Sequence, residues 1–175
     1  MVISKNYRFL LRLAIAMSVA TAVLGLLLLH LIGHHAQFVP LWGQESMATD
    51  LIVFSLGFGF MLSWTATKMT RQALQQKKVL PLHWHLKSQT LIDRLPAHTL
   101  HRAFMLGLAG VVLAGIMLLL IQLKHIEEMP YQEYLVLFVM HAVSLAAIVT
   151  VMAVYRALGD QIPKHAVVEQ KNPLG

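Results

Sequence analysis

The chain has 175 residues, 57% hydrophobic and 13% charged, with a formal net charge of +6 and no cysteine. An average soluble domain is about 45–50% apolar and about 25% charged, and a domain this small exposes too much surface to hide such an excess. Disulfides, thiolate catalysis and cysteine-held metal or iron–sulfur centres are excluded, and a polytopic membrane protein is favoured over a soluble enzyme.

The first apolar run covers residues 13–32, behind Lys5, Arg8 and Arg12. It is longer than the roughly 7–15 residues of a signal-peptide core, and no A-x-A-like site follows, so it is expected to remain as a signal anchor. Three further runs follow at 51–67, 103–123 and 134–155. Each has about the length an α-helix needs to cross roughly 30 Å of hydrocarbon. None alternates with period 2, so they predict helices rather than barrel strands. The expected fold is all-α: one membrane domain over 1–175, with four transmembrane helices in a bundle.

Charge orients the spans. Thirteen of the 14 basic residues fall in the N-terminal tail, the 68–102 loop and the 156–175 tail, leaving Lys124 alone on the other side. The positive-inside rule makes the basic side cytoplasmic. The expectation is therefore a multi-pass protein of a bacterial-type inner (plasma) membrane with both termini in the cytoplasm. Topology accounts for the pI near 9.8, and the basic residues form no reading element, so no nucleic-acid partner is expected.

The two halves resemble each other. At an offset of 89, Leu11–Ile32 overlies Leu100–Ile121, and Ala14, Ser18, Thr21 and Gly25 fall over Ala103, Gly107, Gly110 and Ala114. The second arms match more weakly, through Leu51 with Leu135 and Phe54 with Phe138. This pattern predicts a parallel 2+2 hairpin repeat about an axis along the membrane normal. Small residues let backbones approach in lipid, so Ala14, Ser18 and Gly25 and their counterparts predict a central contact between helices 1 and 3. In helix 2, Gly57 and Gly59 are two residues apart and do not share a face, which favours a local irregularity.

Ionisable groups at mid-membrane usually mark transport chemistry. Here His141 is the one ionisable residue well inside a span, with Ser144 among the hydroxyls near it. His141 reads either as a proton-sensitive group facing a cavity or as a neutral imidazole bonded to a neighbouring helix. On the outer side, His30 and His34 are four apart, a spacing that suits two imidazoles on one metal ion, and His125 begins the other outer loop. These three are the candidate metal ligands. No haem or other cofactor is expected beyond such an ion. The inner histidines are too few for a carboxylate-rich di-iron centre. No nucleophile–base pairing, P-loop, dinucleotide fingerprint or HExxH occurs, so an enzyme is not expected.

The 68–102 loop is the most individual segment. Leu80, Leu82, Trp84 and Leu86 alternate with Pro81, His83, His85 and Lys87, a period-2 pattern. Leu82, Trp84 and Leu86 form a candidate partner-docking edge, or else an interfacial segment. Pro96 is expected in the first turn of helix 3. These features predict a non-catalytic membrane subunit, an accessory, assembly or anchoring component whose partners are the lipid bilayer and other membrane or cytoplasmic proteins. The alternative is a small transporter or metal-handling protein using the outer histidines.

Overall fold

A computed structural model describes residues 5–32, 37–80, 95, 96 and 98–159. Among them are four α-helices, α1 (Lys5–Ile32), α2 (Met47–Gln75), α3 (Thr99–Leu123) and α4 (Tyr131–Leu158), and two three-residue strands, β1 (Phe38–Pro40) and β2 (Glu128–Pro130). All four helices are long and apolar enough to cross a membrane. Each outruns its apolar core because helical hydrogen bonding continues into polar, helix-favouring residues such as Arg8, Arg71 and Arg102.

The helix ends have local causes. Gly43 adopts φ +136°, a conformation that disfavours any side chain. It places its carbonyl to accept hydrogen bonds from Ser46 Oγ at 2.9 Å and Thr49 Oγ1 at 2.8 Å. Ser46 then caps α2 by accepting from the Thr49 amide, and Asp50 sits in the first turn, where the helix dipole favours a negative charge. At the other end Lys77 is left-handed (φ 55°), with Lys77 N–H bonded to Leu74 O and Lys78 N–H to Ala73 O. That is a Schellman stop. His125 (φ 56°) ends α3 in the same way, bonding Gln122 O. Pro96 lies ahead of the α3 N-cap residue His98 instead of in the first turn, so the helix begins later than the sequence predicts.

The loops at one end are joined to each other. β1 and β2 pair antiparallel, Phe38 opposite Pro130, Val39 opposite Met129 and Pro40 opposite Glu128. Proline closes each strand, since it donates no ladder hydrogen bond. Val39 and Met129 are buried and join the core, while their strand neighbours are exposed. This end is called the ribbon end below, and the opposite one the basic end.

Packing reverses one sequence expectation. α2 packs on α3 and on α4, and α4 packs on α1, whereas α1 and α3 share no packed interface. The central pair is therefore α2 and α4, with α1 and α3 outside. The small residues of α3 do serve close packing, with a different partner. A Cβ on Gly107 would lie 3.0 Å from Leu56 O, and one on Gly110 would lie 3.0 Å from Ser55 O, both on α2. Apolar pattern could not choose the partner, because lipid tails and neighbouring helices are equally apolar. The expected irregularity at Gly57 and Gly59 is likewise absent, since α2 is continuous through both. Gly59 marks a close crossing: its Cβ would stand 2.9 Å from Gly107 Cα.

Candidate functional site

Three places gather polar side chains. The first is the α2–α4 seam. The two helices run in the same direction, so residues about 84–86 apart meet at one depth. Near the ribbon end Tyr134, fully buried, donates its phenolic O–H to Asp50 Oδ2 at 2.9 Å. About one turn deeper, Phe54 and Phe138 pack ring against ring. Below them Ser55 Oγ and His141 Nε2 share a buried hydrogen bond of 2.7 Å. His141 is thus bonded to a neighbouring helix, while Ser144 is exposed and turned away from the seam.

Deeper hydroxyls behave differently from one another. Thr70 Oγ1 donates to Ala66 O at 2.7 Å, one turn back on its own helix. Ser63 Oγ, Thr67 Oγ1, Thr150 Oγ1 and His141 Nδ1 are buried with no hydrogen-bond partner among the described residues. The two α2–α4 side-chain hydrogen bonds among the described residues lie in the half of the seam nearer the ribbon.

The second place is a cavity of about 570 Å³ between α1 and α2. Phe54, Phe58, Phe138 and Leu29 line its apolar wall, and Asp50 and Thr49 lie at its ribbon end. Gly25 deepens it at the back, where a Cβ would stand 2.9 Å from both Phe54 and Phe138. Val53 and Met61 also line it and are largely exposed, so it opens sideways.

The third place is the basic end, where side chains of α1, α3 and α4 hold the ends of the α2–α3 connection and one of α2 bonds the first residue of α3. Asn6 of α1 clasps Leu80 in both directions, Asn6 Nδ2 donating to Leu80 O at 2.9 Å and Leu80 N–H donating to Asn6 Oδ1 at 2.8 Å. Arg156 of α4 donates through Nε to Leu95 O at 2.8 Å. Arg102 of α3, fully buried, donates through Nε to Pro96 O at 3.2 Å. Arg71 of α2 donates to Thr99 Oγ1 at 2.7 Å. The arginines look like topology charges in the sequence. For Arg71 and Arg156 the second role depends on acceptors 28 and 61 residues away, which no local pattern signals.

The remaining sequence candidates are spread out. His30 is exposed on the last turn of α1, and His125 is exposed at the α3 stop. His34 lies outside the described residues, as do Leu82, Trp84 and Leu86. Among the described residues no three His, Asp or Glu side chains come together as a metal site. Ala103, Gly107, Gly110 and Ala114 are buried on α3, and Gly25 is buried on α1, with Ala14 and Ser18 half-buried. No protein-family model, curated protein or solved structure matches the chain.

Proposed function

We propose that the chain is a non-catalytic subunit of a larger bacterial-type inner-membrane complex, an accessory, assembly or anchoring component, with the basic end in the cytoplasm. The observation that carries this reading is the frame at that end. Asn6 of α1, Arg102 of α3 and Arg156 of α4 hold the two ends of one connection through Leu80, Pro96 and Leu95, and Arg71 of α2 bonds Thr99, the first residue of α3. Anchors on α1 and α4 satisfy backbone groups of the link, and for a segment presented to a partner, fixing its ends also lowers the ordering entropy lost on binding. Leu82, Trp84 and Leu86 lie between those anchors in sequence and supply the docking edge.

The proposal includes a bundle built from two duplicated helix–strand–helix halves. Exchanging the halves turns the α1–α4 contact into the α3–α2 contact and returns α2–α4 to itself. The repeat-matched Phe54 and Phe138 touch, and Val39 pairs with Met129 at the centre of the ribbon. These self-contacts are what an axis along the membrane normal requires.

Co-purification tests the role. Leu82→Asp and Trp84→Ala should each release a protein partner that wild type retains, while membrane insertion is unchanged. Retention of every partner by both variants would contradict the proposal.

A further inference from the structure

The cavity between α1 and α2 plays no part in the partner-docking role, and its shape and charge point to a ligand of its own. We propose that it is a binding site for one glycerophospholipid with a primary ammonium headgroup. An acyl chain lies along α2 and the ammonium sits at Asp50. The inference does not depend on the subunit reading.

Size and placement come first. At about 570 Å³ the cavity falls within the roughly 300–1,000 Å³ of small-molecule sites. Its α2 wall runs from Thr49 to Met61, about 18 Å at 1.5 Å per residue. That is close to one leaflet of a hydrocarbon core about 30 Å thick. The exposed Val53 and Met61 make the opening lateral, so the ligand enters from the membrane and not from water. The lining is aromatic and aliphatic over most of its length, with Gln44, Thr49 and Asp50 gathered at the ribbon end. An apolar tail ending in a polar head matches that gradient.

Charge then selects the head. Asp50, in the first turn of α2, contributes a carboxylate that the Tyr134 hydroxyl orients, and Glu45 lies on the loop just ahead of that helix. A carboxylate favours a cation, and a hydrogen-bonding cation most, because ionic hydrogen bonds are the stronger ones. A primary ammonium supplies both charge and N–H donors. A trimethylammonium supplies only charge, and an anionic head is repelled.

Gly57 offers a clean probe. It lines the groove, and a Cβ there would meet nothing within 4 Å. The Cβ of a phenylalanine at this position enters open space on the groove lining. Gly115 on α3 is equally open and lines no described cavity, so Gly115→Phe is the matched control.

The experiment is native mass spectrometry of the full chain, delipidated in detergent and titrated separately with phosphatidylethanolamine, phosphatidylcholine and phosphatidylglycerol. Wild type and Gly115→Phe should retain one phosphatidylethanolamine at least tenfold more tightly than either other lipid. Gly57→Phe should lose that adduct about tenfold, and Asp50→Asn, which keeps an oxygen for Tyr134, should lose the headgroup preference. If Gly57→Phe does not fold by circular dichroism, Val53→Trp replaces it with the same expectation. Equal retention of all three lipids by wild type overturns the proposal. So does an undiminished adduct in the groove-filling variant, or a wild-type dimer that the groove-filling variant dissociates, which would make a second copy the occupant.

Discussion

Phe54 on α2 and Phe138 on α4 meet with ring centroids 4.7 Å apart and planes inclined at 57°. They are the two aromatic positions that the proposed repeat aligns. Their contact lies in the seam between the central helices, between the Tyr134–Asp50 and Ser55–His141 hydrogen bonds, and its α1-facing side forms the back of the lateral groove. One aromatic pair thus belongs both to the seam and to the groove.

The α2–α3 crossing should be intolerant of a single methyl group. Gly59→Ala and Gly107→Ala each drive a Cβ to about 3 Å from facing backbone, and overpacking of that kind costs about 1–3 kcal/mol. Gly115→Ala meets only open space and should be neutral or slightly stabilising, since alanine is the better helix former. Reversible unfolding in mixed micelles should separate the first two from the third.

The buried Ser55–His141 bond should show a measurable coupling. Ser55→Ala leaves His141 Nε2 without its partner, at a cost of about 0.5–2 kcal/mol given the modest worth of such bonds in membranes. A double-mutant cycle with His141→Phe isolates the pair. A coupling energy of zero would mean the contact contributes nothing to holding α2 against α4.

Much of the helical architecture was legible in the residues. Four apolar runs with polar ends locate the helices. What the residues could not reveal is who packs on whom. Gly107 and Gly110 announce a close approach without naming α2 as its partner. Gly57 and Gly59 look alike in sequence, yet at about 100° per residue they point roughly 200° apart. One opens into the groove and the other meets Gly107. The groove itself arises because α1 leans on α4 and touches α2 only slightly, a tertiary fact with no local signature. The same holds for Arg156, whose acceptor is the Leu95 carbonyl 61 residues away.

Tyr134→Phe should loosen the ribbon end by removing the hydroxyl that donates to Asp50. The expected loss is about 1.5–3 kcal/mol, the range for a hydrogen bond to a charged group. Asp50→Asn keeps an acceptor for the phenol and should lose less stability than Asp50→Ala, as read by the same unfolding measurement.

The frame at the basic end is open to a local probe. The Leu80 amide donates to Asn6 Oδ1, so Asn6→Ala should speed hydrogen exchange at Leu80, while amides in the middle of α2 keep wild-type rates. Arg156→Ala removes the donor to Leu95 O and should weaken partner retention with little change in insertion. Unaltered exchange at Leu80 in Asn6→Ala would mean the clasp does not hold that end in solution.

The central claim is that this chain works by holding another protein at its basic end. The most direct measurement is native mass spectrometry of the chain gently solubilised from its own membrane, beside Trp84→Ala prepared in the same way. The account predicts a second polypeptide in fixed stoichiometry with wild type, and its loss from the variant. A wild-type particle of this chain and lipid alone, or a companion that stays equally bound to Trp84→Ala, would contradict it.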